Sequence, residues 1–97
     1  MKRIIYTDHL KKRLSVRKFP EDYPKIVYSS SELFFFDILE KNSIAIKKLK
    51  YNGKFRNIMI AYNETVDAVN IITIHPISDE KITNRLVSGR WIKDEKI

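Results

Sequence analysis

The dipeptide Asn52-Gly53, near the middle of the 97-residue chain, is the feature that most constrains the fold. Asn-Gly is the preferred pair for a two-residue hairpin turn because both turn positions need a positive φ. The dipeptide separates two runs rich in apolar residues, 43–51 and 54–62, and the first begins with alternating apolar side chains. The sequence therefore predicts that these runs are antiparallel strands joined by a tight turn.

Two further strands flank this hairpin. Residues 33–39 are rich in aromatic and branched side chains and contain only one charged residue, Asp37, which predicts a strand that is central or covered on both faces. Residues 63–65 are typical of a turn, and residues 66–75 after it are the last predicted strand. Because the four strands follow one another in the chain, we expect an antiparallel meander.

Helical segments are predicted before the meander. Thr7 or Asp8 is suited to cap a helix over about residues 8–18, which follows a short strand at residues 3–6. Residues 20–28 then favour a second, shorter helical segment.

A last helix follows the meander. Ser78 is predicted to begin it, acidic residues occupy its first turn, where the helix dipole favours them, and Gly89 ends it. Helices at the ends of the chain and an antiparallel sheet between them predict an α+β fold. We expect N-terminal helices, an antiparallel four-stranded meander sheet and a C-terminal helix, all in a single domain over residues 1–97.

Positive charge is concentrated in two stretches of the chain. The sequence has 19 Lys and Arg residues against 12 Asp and Glu residues, a net charge of +7. Residues 1–18 hold seven basic residues and one acid, and residues 47–56 hold five basic residues and no acid. Such clusters are typical of proteins that bind a phosphate backbone, although a solvated lysine-rich face has the same composition. The residues predicted to bind nucleic acid are Lys11, Lys12, Arg17, Lys47, Lys48, Lys50 and Trp91.

The composition excludes several classes of protein and of site. No run of about 18 apolar residues is present, so we expect no membrane span, and the N-terminal stretch does not have the pattern of a signal peptide. The absence of cysteine excludes disulfides and thiolate zinc sites and fits a cytoplasmic protein. With two histidines and no glycine-rich phosphate loop, we expect neither a metal nor a cofactor.

The segment from His75 to Trp91 carries the residue types that chemistry on a phosphate group needs. His75 ends a predicted strand, Arg85 lies on the last helix, and Arg90 follows that helix. An imidazole exchanges a proton near neutral pH, guanidinium groups neutralise a pentacovalent phosphorus, and an indole stacks on a base. These are the groups that transesterification of RNA by its 2′-hydroxyl requires. The predicted catalytic residues are His75, Arg85, His9, Arg13 and Arg90.

Each of these residues also has a purely structural interpretation. His75 can hold the strand-to-helix turn with a ring nitrogen, and Arg85 can form an ion pair across the sheet or with an acid on its own helix. Trp91 can fill the core of a small domain. His9, in the first turn of a helix, can act as a cap or lie buried in its neutral form.

The tetrapeptide Tyr-Thr-Asp-His at residues 6–9, with basic residues up to Arg17, resembles the start of a family of small domains. That family is grouped with BrnT-type and RelE/ParE-type toxins. The second half of the chain is similar in layout, because a meander ends in residues 72–76 and a helix containing Arg85 follows.

This resemblance implies a toxin–antitoxin type of protein. Toxins of these groups are ribosome-dependent or free ribonucleases, or gyrase poisons, and an acidic antitoxin usually covers them. Arg85 matches the basic residue on the last helix of the family, and His9 matches its early histidine. The segment 89–91 has no counterpart in the family, so the resemblance implies nothing about Arg90.

Two functions from different classes remain open. The first is an RNA-cleaving toxin, in which His75 or His9 is the acid or base and Arg13, Arg85 and Arg90 stabilise charge. The second is a non-catalytic basic module that binds nucleic acid or a partner protein. The exposed edges of the meander also offer a surface for a homodimer, which is compatible with either function.

Overall fold

The computed structural model describes residues 2–94, which form three α-helices and six β-strands. In chain order they are β1 (Arg3–Tyr6), α1 (Asp8–Arg17), α2 (Tyr23–Ser30), β2 (Leu33–Asp37), β3 (Asn42–Tyr51), β4 (Lys54–Glu64), β5 (Ala68–Pro76), α3 (Asp79–Val87) and β6 (Trp91–Lys93). None of these helices is long and apolar enough to cross a membrane.

The six strands form one mixed sheet in the order β1-β5-β4-β3-β2-β6. Strands β2 to β5 pair with their neighbours in chain order and antiparallel, but β1 pairs with β5 in parallel and β6 pairs antiparallel with β2. The fold is therefore α+β, and the predicted architecture of a four-stranded antiparallel meander with N-terminal helices is wrong. The strand predicted at residues 3–6 is present as β1, but its place in the sheet beside β5 was not predicted, and β6 has only three residues, too few to show a strand period in the sequence.

The hairpin between β3 and β4 has the predicted turn. Asn52 and Gly53 have φ values of 53° and 79°, and Tyr51 pairs with Lys54 on either side of them. A positive φ at both central residues is the condition for a type I′ turn, whose twist matches that of the two strands. The dipeptide therefore fixes the register of the two longest strands in the sheet.

Replacing Gly53 by alanine is expected to lower the free energy of unfolding by about 1 kcal/mol, because a side chain is disfavoured in the left-handed region. Beyond the adjoining residues, no described atom lies within 4 Å of the position that the new Cβ would take, so the cost is backbone strain and not overlap. Urea denaturation measures the change, with Asn52→Gly as the control expected to stay within about 0.5 kcal/mol. An unchanged midpoint for Gly53→Ala would contradict the assigned turn.

A β-bulge in β5 decides which side of the sheet its last residues face. Ala61 pairs with Thr73 and Tyr62 pairs with Ile71, so Ile72 has no residue opposite it. The extra residue reverses the alternation of side chains along the strand. As a result Ile71 packs on one face, whereas Thr73 and His75 lie on the other.

The two faces of the sheet have separate apolar clusters. One face, which we call the helix face, is covered by Leu10 and Leu14 of α1 and Val27 of α2, and it holds the larger cluster. The other, which we call the cleft face, has a smaller cluster that includes Met59 and Trp91, with Ile82 of α3 packed against it. No residue of α3 is fully buried, so this short helix leaves part of the cleft face open.

Candidate functional site

Helix α1 lies beside the end of β5 because β1 stops short of it. The last pair between β1 and β5 joins Tyr6 to Ile71, and α1 begins two residues after Tyr6. Thr7 fixes this change of direction: its hydroxyl accepts from the Leu10 amide at 3.2 Å and donates to the Ile71 carbonyl at 2.9 Å. One histidine and two arginines, spaced four residues apart on α1, are thereby brought near the exposed part of β5. We call them the stripe on α1; they are His9, Arg13 and Arg17.

A cleft of about 260 Å³ opens on the cleft face. Its floor includes Ile44, Met59 and Ala61 of the sheet. Four of the five predicted catalytic residues line it, namely His9, His75, Arg85 and Arg90. The fifth, Arg13, is not among the lining residues of this cleft but donates from Nε to Nε2 of His9 at 3.3 Å. Residues from both ends of the chain therefore meet at one site.

His75 is held by one ring nitrogen. Nδ1 lies 3.0 Å from the carbonyl oxygen of Pro76, and since a carbonyl only accepts, Nδ1 carries the hydrogen and Nε2 carries the lone pair. Within residues 2–94, Nε2 has no hydrogen-bond partner. The contact with Pro76 agrees with a role in holding the turn, and it also selects the tautomer that a general base needs.

The surroundings of His75 keep the imidazole neutral. Burial lowers its pKa below the ordinary value of 6.5, the hydrogen bond to Pro76 opposes this shift, and the positive charges of Arg17, Arg13 and Lys81 lower the pKa further. At pH 7 the ring is therefore uncharged and Nε2 is available to accept a proton. Arg13 and Arg17, two members of the stripe on α1, lie near enough for their charges to contribute to this lowering of the pKa.

Arg90 and Trp91 are bound to a buried carboxylate that the sequence analysis did not assign to the site. Asp37 is 3% exposed and accepts from Nε of Arg90 at 3.2 Å and from Nε1 of Trp91 at 3.1 Å. The backbone amides of Leu39 and Glu40 also donate to it, at 3.0 and 3.1 Å. Burial alone would raise the pKa of Asp37, but these hydrogen bonds, led by that from Arg90, outweigh it and the pKa is lowered.

These contacts change the interpretation of Arg90 and Trp91. The indole is 3% exposed and stacks on Phe35 at 5.5 Å between ring centroids, so it does not offer a face on which an RNA base can stack. The charge of Arg90 is neutralised by Asp37, with Nη2 and Oδ2 3.1 Å apart. Both side chains therefore build the wall of the cleft. The signal in the sequence was Asp37 itself, because a charge in an apolar strand needs a partner.

Arg85 places a second positive charge in the cleft. Its guanidinium carbon lies 6.0 Å from the centre of the Trp91 ring, which supports it through a cation–π contact. Among the described residues it forms no ion pair, so the alternative of a bridge to Asp79 or Glu80 is not realised. Lys81 also lines the cleft, and sequence reasoning missed it although it precedes Arg85 by four residues on the same helix.

Asn42 is a further residue of the cleft that the sequence analysis missed. Its Oδ1 is buried and has no hydrogen-bond partner within residues 2–94. An unsatisfied buried acceptor costs about 1–3 kcal/mol, and a ligand that donates a hydrogen bond to it would recover that cost. The cleft thus combines a base, unpaired cations and a free acceptor.

The predicted nucleic-acid-binding residues do not form one patch. Alternation along β3 places Lys48 and Lys50 on the cleft face with Ile46, and Lys47 on the helix face with Leu49. The basic residues of α1 are also divided: Arg17 acts on His75, whereas Lys11 and Lys12 line two other surface depressions. Of the predicted lysines, Lys48 and Lys50 share a face with the cleft.

Within residues 2–94, no group of three or more His, Cys, Asp and Glu side chains is arranged to hold a metal ion. No family model, no curated protein and no solved structure matches the chain.

Proposed function

We propose that the protein is an endoribonuclease that cleaves RNA by attack of a 2′-hydroxyl on the adjacent phosphate. The observation that carries the proposal is His75, whose Nε2 has a lone pair and, among residues 2–94, no partner, in a cleft that also contains Arg85 and Lys81. A neutral imidazole beside unpaired cations is the combination that this reaction needs, because a proton leaves the nucleophile while negative charge grows on the phosphate.

In the proposed reaction His75 is the general base. Nε2 takes the proton of the 2′-hydroxyl, O2′ forms a bond to phosphorus, and the bond from phosphorus to O5′ breaks. The products are a 2′,3′-cyclic phosphate and a 5′-hydroxyl. His9 is the group placed at the leaving O5′: Arg13 donates to its Nε2, so Nδ1 carries a hydrogen that it can donate as a hydrogen bond to O5′, and O5′ takes its proton from water.

The cations of α3 stabilise the charge of the transition state. Arg85 and Lys81 line the cleft without an ion pair within residues 2–94, so their charges are available to the phosphate oxygens. Arg13 acts through its hydrogen bond to His9, and Arg90 acts by holding the wall with Asp37. Arg85 and Lys81 thus contact the substrate, whereas Arg13 and Arg90 position other groups.

Incubation with RNA, free and bound to ribosomes, tests the proposal. The wild-type protein is expected to cleave in the presence of EDTA and to leave 2′,3′-cyclic phosphate ends. The His75→Ala, Arg85→Ala double variant is the matched control and is expected to show no cleavage above background. Equal cleavage by both proteins would refute the assigned site, and no cleavage by either would refute the enzyme.

The rate of cleavage is expected to rise with pH around an apparent pKa below 6.5 and to be level by pH 7. The physical reason is the lowered pKa of His75, since the base must be unprotonated to act.

The same shift makes the unfolded chain the better proton acceptor, so the free energy of unfolding should fall as the pH decreases from 6.5 to the lowered pKa. Single-turnover rates and urea midpoints measure both effects, and His75→Gln should remove the change in stability. A rate that is still rising at pH 8 would contradict this assignment.

A toxin of a toxin–antitoxin system is the biological setting that we propose for this activity. The support is the net charge of +7 and the basic groups around the cleft, which an acidic antitoxin would cover. A short gene for an acidic protein beside this one would support the setting.

The second candidate function is a non-catalytic module that binds nucleic acid. It is favoured by the pairing of Arg90 with Asp37, which removes one of the charges expected at a catalytic phosphate. In that case RNA would bind and remain uncleaved. The logarithm of the binding constant would fall linearly with the logarithm of the salt concentration.

A further inference from the structure

A second groove adjoins the cleft on the same side of the molecule. Its volume is about 530 Å³, and it shares Pro76, Ile77 and Lys81 with the cleft. The other residues that line it are Lys48, Phe55, Arg56, Asn57, Ser78 and Asp79. The groove therefore continues the cleft toward the tip of the β3–β4 hairpin.

Phe55 is the unusual residue of this groove. It is 72% exposed, although a phenylalanine in a small domain normally contributes to the core. It pairs with Lys50 across the hairpin, and Lys48 lies diagonally from it on the same face. An exposed aromatic ring with lysines on the neighbouring strand is the arrangement that binds single-stranded nucleic acid, because the ring stacks on a base while the ammonium groups meet phosphates.

The charge of the groove fits the same ligand. Lys48 and Lys81 line it against one acid, Asp79, while Arg56 pairs with Leu49 on the helix face and donates from Nε to the Tyr51 carbonyl oxygen. The Oδ1 atom of Asp79 accepts from Nδ2 of Asn57 at 2.6 Å, so this carboxylate is engaged within the protein. The surface is positive and carries a ring that is free to stack.

We propose that this groove is a subsite for single-stranded RNA, in which a base stacks on Phe55 and the backbone contacts Lys48 and Lys81. The inference rests on the proposed function in taking RNA as the ligand, and it adds that the substrate is unpaired at the site. A base within a duplex is stacked on its neighbours and does not present its face to a side chain.

The position of Phe55 relative to His75 agrees with a continuous path for the strand. Phe55 precedes Met59 by four residues on β4, and Met59 pairs with His75. Four residues of a β-strand span about 13 Å. A base on Phe55 would therefore belong to a nucleotide near the cleaved phosphate and not to that phosphate itself.

Fluorescence anisotropy with a labelled 2′-O-methyl RNA oligonucleotide tests the subsite apart from cleavage, because this RNA lacks the nucleophile. Phe55→Ala is expected to weaken binding about tenfold, and Phe55→Trp is expected to retain it. Val66→Ala is the control, since Val66 is 96% exposed and lies in a turn outside the groove. With an abasic oligonucleotide, the difference between Phe55→Ala and the wild type should disappear.

The salt dependence separates stacking from charge. Lys48→Ala should reduce the slope of log affinity against log salt, whereas Phe55→Ala should leave the slope unchanged. Equal affinity of Phe55→Ala and the wild type, or equal affinity of the wild type for single-stranded and duplex RNA, would overturn the subsite.

The outcomes also separate this inference from the proposed function. Tight binding that depends on Phe55, with no cleavage of the matching unmodified RNA, would refute the enzyme and leave the subsite standing. Cleavage that depends on His75 but not on Phe55 would refute the subsite alone. No binding by the wild-type protein would refute the subsite.

Discussion

The His75→Ala variant is expected to cleave RNA about 10²- to 10⁴-fold more slowly than the wild-type protein, which is the usual contribution of a general base. The loss follows from the geometry of the ring, since Nδ1 is bound to the Pro76 carbonyl and Nε2 is the nitrogen left to accept a proton. The single-turnover rate at pH 7 measures the effect directly.

A folding defect would mimic this loss, so the variant needs a stability control. Removing the hydrogen bond to Pro76 is expected to lower the free energy of unfolding by only about 1 kcal/mol. His75→Gln keeps a side-chain donor but no group that titrates near neutral pH, so it should fold and be as slow as His75→Ala. A rate near the wild-type value in either variant would contradict the role of His75.

The Asp37→Ala variant is expected to lower the free energy of unfolding by about 3 kcal/mol, because it leaves a guanidinium and an indole N–H without their shared acceptor. For a domain of this size the melting temperature should fall on the order of 15 °C. Trp91 is the only tryptophan of the chain, so its fluorescence reports on this site during thermal unfolding.

Glu40→Ala is the matched control for Asp37→Ala. Its carboxylate lies 4.0 Å from Nη2 of the same Arg90, but its side chain is 63% exposed. An ion pair in solvent contributes little, so the change should remain within about 0.5 kcal/mol. Equal effects of the two substitutions would show that Asp37 does not hold the wall of the cleft.

Because Arg85 contacts the Trp91 ring, Asp37→Ala should also reduce the rate of RNA cleavage.

The features predicted from the sequence are those that neighbouring residues determine. The turn at Asn52-Gly53 depends on two φ angles, and the caps at Thr7 and Ser78 depend on a hydroxyl and an amide three residues later. These interactions are local, so residue type alone identifies them. The two hairpin strands followed from the same local patterns, whereas β2 ends at Asp37, two residues before the predicted end, and β5 begins at Ala68, two residues after the predicted start.

The complete sheet could not be predicted because its outer strands depend on distant pairing. The strand at residues 3–6 was predicted but its pairing was not, residues 91–93 carry no period of their own, and both strands pair with partners far away in the chain. The bulge at Ile72 is also invisible in the sequence, yet it decides that His75 faces the cleft. The predicted meander was therefore incomplete at both edges.

The candidate site shows the same division. His75 and Arg85 were identified because a histidine at a strand end and an arginine on the following helix are recognisable by position. The burial of Trp91 was not predicted, because it depends on a hydrogen bond to Asp37, which lies far away in the chain. Phe55 was not identified as a binding residue either. Its side chain is exposed because the hairpin extends beyond the core, which the sequence does not show.

The most direct test of the account is cleavage of an RNA that has a single 2′-deoxynucleotide at the position cut by the protein. The proposed mechanism predicts that cleavage at this position disappears, because the nucleophile is the 2′-hydroxyl and His75 has no proton to accept. The same RNA with the deoxynucleotide at a neighbouring position should be cut at the normal rate. Undiminished cleavage at the 2′-deoxy position would contradict transesterification and with it the role assigned to the cleft.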